Sequence, residues 1–163
     1  MIKYVDTAIC FAEVPDEISL CINISNCPHK CSNCHSPHLQ EDVGNELTFS
    51  LLDELIDNNK GITCVCFMGE GGSIFEIADF AFHIKNRFGL KTALYTGLDF
   101  SLNSMEDIVA RPLITDHFDY VKTGPYIESL GPLNNKTTNQ RMYKKISEHP
   151  IKFEDITNRF WKN

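Results

Sequence analysis

Nowhere in the 163 residues is there a run close to the roughly 18 unbroken apolar residues that a membrane span needs. The opening stretch, MIKYVDTAICFAEVPDE, lacks the basic, apolar, small-residue order of a secretory signal. The expected location is therefore the cytoplasm, where thiols stay reduced. A long block of Lys and Arg is missing too, and 15 basic against 22 acidic residues leave a formal charge of -7. Affinity for nucleic acid or an anionic membrane comes from clustered cations, so neither is an expected partner. A protein partner or a positively charged small ligand suits this charge better. No repeat, low-complexity tract or linker divides the chain, and one domain over 1–163 is expected.

What the chain does have is cysteine. There are seven, an odd number. Three of them, Cys27, Cys31 and Cys34, fall in one short stretch, NCPHKCSNCHSPHLQ. In a reduced compartment that clustering suits a metal site better than a disulfide framework.

The hydrophobic pattern places this stretch. YVDTAICFAEV and EISLCINIS read as extended segments, and the second runs straight into the cysteine loop. LTFSLLDELIDNN has helical spacing, with Thr48 or Ser50 available near its start and Gly61 beyond its end. ITCVCFM is a continuous apolar run, as in a strand buried on both faces, and it ends at GEGG. IFEIADFAFHIKNRF is again helical and stops at Gly89; KTALYT is a strand; MEDIVA is a short helix closed by Arg111 and Pro112; FDYVKT is a further strand. A long ordered loop is expected from about Thr123 to Gln140, and a terminal tail of weak character after it.

Strands alternating with helices predict parallel βαβ units, hence an α/β fold with mostly parallel strands. Ligands of such folds sit at the carboxyl ends of the strands. The cysteine loop and the glycine loop should therefore face one site. Four or five units are too few for a closed eight-fold barrel, so an open partial (βα) barrel is expected.

Thiolates bind soft metals, and C-x3-C-x2-C brings three of them to one small object. One reading is a zinc knuckle, completed by His29, His35 or His38. No second C-x2-C pair follows, as zinc sites of that kind normally require. Cys64 and Cys66 alternate on the apolar strand and read as small core residues, as do Cys10 and Cys21. The other reading is a [4Fe–4S] cluster, which normally takes four cysteines. With three, one iron keeps an open coordination position.

The triad Cys27, Cys31 and Cys34, placed just after a first core strand, resembles that of the radical S-adenosylmethionine (SAM) superfamily. The resemblance implies a [4Fe–4S] cluster on these three cysteines, with SAM chelated at the unique iron and cleaved by one electron to a 5′-deoxyadenosyl radical. The superfamily's Gly-Gly-Glu/Asp-Pro turn is represented by Met68 to Gly71. Gly69 and Glu70 match there, while Met68 replaces the first Gly and Gly71 the Pro. That turn implies SAM contacts at Gly69 and Glu70. Where the superfamily often has an aromatic residue beside the third cysteine, this chain has Asn33 before it and His35 after it. Both are expected near SAM. His35 reads either as an adenine contact or as a solvent-facing loop residue, and the other histidines read as loop residues.

A chain this short leaves little to enclose a small substrate, which suits an enzyme whose substrate is another protein. Gly124, Pro125 and Tyr126, the element Thr137 to Arg141, and Leu94 to Gly97 resemble segments of the anaerobic ribonucleoside-triphosphate reductase activating proteins. Thr123 stands where many of them have Asp. This resemblance implies an oxidoreductase of the glycyl-radical activase type. Its partners would be the large glycyl-radical subunit of the reductase and a flavodoxin- or ferredoxin-type electron donor. The step transfers a hydrogen atom, so no acid–base residue is assigned. Asn139, Gln140 and Arg141 read as holding the long loop to the rim, and Lys122 as a surface lysine at a strand end. Phe160 and Trp161 read as a cap or a partner contact. Rival readings are another radical SAM enzyme, such as a pyruvate formate-lyase-type activase or a deazapurine synthase, and a zinc-binding interaction module.

Overall fold

The computed structural model describes residues 1–99 and 111–162. Eight strands form one mixed sheet: β1 (Lys3–Cys10), β2 (Ser19–Ile24), β3 (Asn45–Glu46), β4 (Cys64–Met68), β5 (Lys91–Tyr95), β6 (Tyr120–Thr123), β7 (Arg141–Glu148) and β8 (Ile151–Asp155). Their order is β3-β1-β2-β4-β5-β6-β7-β8. The four central strands, β2, β4, β5 and β6, run parallel, and the pairs outside them are antiparallel. The expected short helix at residues 105–110 lies outside the described residues, and Arg111 and Pro112, expected to close it, belong to α3 (Arg111–His117).

Local chemistry sets the helices. In α1 (Phe49–Asp57) the side chain of Thr48 accepts from the Leu51 N–H, and in α2 (Ile74–Phe88) that of Ser73 accepts from the Glu76 N–H. Each cap satisfies a donor that the first helical turn leaves without a partner. Gly89 ends α2 in the left-handed conformation, at φ 65.

The two faces of the sheet differ. Leu20, Ile22, Val65, Phe67, Leu94 and Val121 alternate onto one face and pack against Leu52 and Ile56 of α1, Ile77, Phe80 and Ile84 of α2, and Ile114 of α3. Phe67 meets the rings of Phe80 and Phe118 with centroids 6.3 and 6.5 Å away; truncating it to Ala is expected to cost about 3–5 kcal/mol. The other face carries smaller side chains, Cys21, Cys64, Cys66 and Ala93, with Tyr120 and Met142. Val14, Ile156 and Phe160 pack there instead of a helix. Burial pushes the Cys64 thiol well up, and at Cys66 the contact with Cys21 and burial do the same. Cys64 and Cys66 are thus neutral core thiols.

The tail departs from its expected weak character. Residues 141–155 form the β7–β8 hairpin, which adds two strands to the sheet edge. The 3₁₀ turn Thr157–Phe160 then brings Phe160 onto the thiol-bearing face.

The two ends of the parallel strands also differ. At the amino end, buried Glu17 accepts hydrogen bonds from Lys91 Nζ (2.5 Å), Tyr120 OH (2.9 Å) and Thr63 Oγ1 (2.6 Å). This carboxylate ties β4, β5 and β6 to the turn before β2. The carboxyl end is left to the loops. Among the described residues no helix is long and apolar enough to cross a membrane.

Candidate metal and cofactor site

The cysteine loop leaves β2 at Ser25 and doubles back on itself. Asn26, Lys30 and Asn33 take left-handed backbone conformations, with φ 58, 44 and 55. Each sits immediately before a cysteine, so the chain reverses ahead of every thiol. Asn tolerates this conformation better than most residues, and two of the three positions are Asn. The loop is closed by Asn26 N–H to Glu41 O (2.9 Å), Cys27 N–H to Leu39 O (3.0 Å) and Gln40 Nε2 to Cys31 O (3.0 Å). Leu39 is buried beneath the 3₁₀ turn Pro37–Gln40.

Cys27, Cys31 and Cys34 all line one cavity of about 340 Å³. The cavity's other walls come from the ends of the next three strands: Gly69 and Glu70 after β4, Thr96 and Gly97 after β5, Lys122 and Gly124 at β6. Residues from Cys27 to Gly124 therefore converge on the carboxyl ends of four parallel strands, where α/β folds place ligands.

The glycine turn is built for close approach. Gly69 and Gly71 have φ 117 and 58. A Cβ at Gly71 would lie 2.7 Å from Ile24 Cγ2, at the end of β2 where the cysteine loop begins. The turn thus sits directly against the base of that loop, and a side chain would force the two apart.

Glu70 is the central charge of the cavity and is almost fully buried. Its Oε1 lies 2.5 Å from His29 Nε2, and its Oε2 accepts from the Thr96 hydroxyl. His29, read from sequence as a loop residue, is therefore a side chain of the site. Gly97 makes room for it, because a Cβ there would stand 2.5 Å from the His29 ring. Lys122, which sequence placed on the surface, lines the same cavity as Glu70. It is partly enclosed in the cavity wall and donates to Gly124 O at 2.8 Å. Burial holds its ammonium pKa down to about 8, against the pull of Cys31, Cys27, Cys34 and Glu70.

Asn33 and His35 diverge. Asn33 is exposed and turned away, donating to Glu128 Oε2 at 2.6 Å, and so ties the cysteine loop to the long loop. His35 lines the cavity and pairs with Tyr126, ring centroids 4.9 Å apart. Tyr126 was marked in the sequence by resemblance alone, and here it supplies an aromatic wall. The element at 137–140 holds the long loop in place: Thr137 donates to Leu130 O (2.7 Å), Thr138 to Gly131 O (3.2 Å) and Asn139 to Pro125 O (2.9 Å).

These donors suit an iron–sulfur cluster. Three thiols from one loop converge on a single cavity, and the Ser36 N–H donates to Cys34 Sγ at 3.4 Å. Such amide-to-sulfur bonds favour the thiolate that a cluster needs. The cavity volume falls in the range of about 300–1,000 Å³ of small-molecule sites, and it offers both an acid and a base for a polar ligand.

Comparison with known proteins agrees on the metal. The family model described as "4Fe-4S single cluster domain" matches residues 18–145. No curated protein and no solved structure matches the chain. The match covers most of the sequence, so the chain belongs to that family and is an iron–sulfur protein.

Proposed function

We propose that this iron–sulfur protein is a radical SAM enzyme of the glycyl-radical activase type, acting on the large subunit of an anaerobic ribonucleotide reductase. The observation that carries the reading is one cavity that gathers three cysteines, one short of the usual four cluster ligands, with the carboxylate of Glu70 and the amine of Lys122. An amino acid offers an amino group and a carboxylate together, and SAM is an amino acid that can chelate a cluster iron through them.

In this proposal Cys27, Cys31 and Cys34 hold the [4Fe–4S] cluster. When bound, the cluster supplies the electron that cleaves SAM to methionine and a 5′-deoxyadenosyl radical. Glu70, oriented by His29 and Thr96, would accept hydrogen bonds from the SAM amino group. Lys122 pairs with its carboxylate. Gly69 lets the backbone approach the ligand, and His35 with Tyr126 flanks the adenine. The reading takes the four central parallel strands, with helices on one face, as the counterpart of the open partial barrel expected for this enzyme class. The cytoplasm is the expected setting, with a flavodoxin- or ferredoxin-type protein as electron donor.

The test is anaerobic incubation of the reconstituted protein with SAM, dithionite and the large reductase subunit. A glycyl EPR doublet on that subunit supports the reading. A doublet only on a pyruvate formate-lyase-type partner would move the assignment to that activase. SAM cleavage without any protein radical would favour a small-molecule enzyme such as a deazapurine synthase. A colourless protein holding one tight zinc in the loop would end the proposal.

A further inference from the structure

The exposed end of the thiol-bearing face holds a second group of metal-binding side chains, apart from the cysteine loop. Strand register puts it there. Ala8 of β1 pairs with Cys21 of β2, so Cys10, two residues on, lies diagonally beside Cys21 on the same face. Glu13, in the turn that follows β1, folds back over them. One ligand atom each from Cys10, Glu13 and Cys21 lies within 4.8 Å of the other two.

The turn is fixed where it needs to be. Tyr95, on the same face, donates its hydroxyl to Glu13 O at 2.6 Å. Glu13 also lines a cavity of about 260 Å³, with Tyr95, Leu133 and Phe160 among the other walls. An ion and a water can therefore reach the carboxylate. Cys10 is only partly buried, whereas Cys21 is buried like Cys64 and Cys66, at the edge of the same thiol cluster.

We propose that Cys10, Cys21 and Glu13 form a second metal site, for a zinc ion bound by two thiolates and one carboxylate with water in the fourth position. The ligand chemistry selects the ion. Two thiolates exclude magnesium and calcium, which take oxygen ligands. A carboxylate in the set disfavours Cu(I), and zinc accepts sulfur and oxygen together in a tetrahedron. Binding releases two thiol protons to solvent, and the metal's charge offsets all but one of the three ligand charges. No electron transfer is involved. The ion would clamp the turn at Glu13 to β1 and β2, on the face that carries Met68, Tyr95 and Lys122 toward the cluster cavity.

The site is independent of the cluster and is tested without it. In the triple variant Cys27→Ser, Cys31→Ser, Cys34→Ser, cobalt(II) is titrated as a spectroscopic substitute for zinc. One equivalent should bind with a thiolate-to-cobalt charge-transfer band and the strong visible bands of a tetrahedral site, and zinc should displace it. Adding Cys10→Ala or Glu13→Gln should weaken binding by more than about tenfold, while Cys64→Ala should not. In parallel, the cluster-bearing wild-type protein, supplied with zinc, should hold one zinc per chain with two sulfur neighbours at about 2.3 Å by X-ray absorption. If the triple variant does not fold, the absorption measurement decides alone. Absence of zinc from the wild-type protein, a zinc without sulfur neighbours, or cobalt binding indifferent to both Cys10→Ala and Glu13→Gln would overturn the proposal.

Discussion

His29 Nε2 lies 2.5 Å from Glu70 Oε1, and this contact joins the cysteine loop to the glycine turn across 41 residues. With Thr96 on its other oxygen, the buried carboxylate is held in one orientation, facing the cavity of the three thiols. A charged group kept in so enclosed a place needs partners, and two are neutral or titratable side chains. A cationic ligand would complete the set.

Glu70→Gln keeps the size and removes the charge. The variant is expected to keep its cluster and lose SAM affinity by roughly ten- to a hundredfold, the equivalent of one charge-assisted hydrogen bond of about 1.5–3 kcal/mol. Anaerobic calorimetric titration with SAM measures it. Unchanged affinity would remove Glu70 from the site of the SAM amino group.

The proposed cluster ligands, Cys27, Cys31 and Cys34, should separate cleanly from the other thiols. Cys27→Ala, Cys31→Ala and Cys34→Ala should each lose the cluster and abolish SAM cleavage. Cys64→Ala removes a thiol sealed in the core and should retain about four irons per chain after reconstitution. Iron and sulfide analysis decides, and loss of the cluster in Cys64→Ala would show that the ligand set has been misassigned.

Much of this arrangement was legible in the sequence, because its parts are local. The triad, the GEGG turn and the strand ends before them are short motifs whose spacing is their meaning. Lys122 and His29 were missed for the opposite reason. A lysine at a strand end reads as exposed unless one knows what folds over it, and here the loops at 124–126 and 132–133 do. His29 became a site residue only when Glu70 and Gly97 met it across the fold. The β7–β8 hairpin was hidden by composition: RMYKKISE carries three cations and an acid, and only Met142 and Tyr143 are buried. The Asn33 brace to Glu128 was not legible either, since adjacency to a cysteine does not say which way a side chain in a tight loop points.

Gly97→Ala tests the room made for His29. The added methyl would stand 2.5 Å from the ring, and overpacking of this kind is expected to cost about 1–3 kcal/mol. Displacing His29 should also weaken SAM binding. Combining Gly97→Ala with His29→Ala should restore most of the lost thermal stability, a coupling that independent sites would not show.

Lys122→Met should move stability and binding in opposite directions. The native ammonium sits in a cavity wall where burial opposes its charge. Replacing it with an apolar side chain of similar length should leave the melting temperature of the cluster-free protein unchanged or raised. SAM affinity should fall by about tenfold or more, as for loss of a charged hydrogen bond. A variant that binds SAM normally would return Lys122 to a purely structural role.

Glu17 should contribute to the acid sensitivity of the fold. Burial pushes its pKa up, but hydrogen bonds from Lys91, Thr63 and Tyr120 outweigh this and leave it below the ordinary value of 4.5. A carboxyl whose folded pKa is depressed adds stability that is fully present above the unfolded pKa and is lost as pH falls through the folded one. The contribution should therefore be intact at neutral pH and fade below about 4.5. Glu17→Gln should destabilise the neutral protein by about 1.5–3 kcal/mol, and the gap to wild type should narrow on acidification. Urea denaturation of both proteins across that range gives the answer; a gap that stays constant with pH would mean that Glu17 acts through packing and not through its charge.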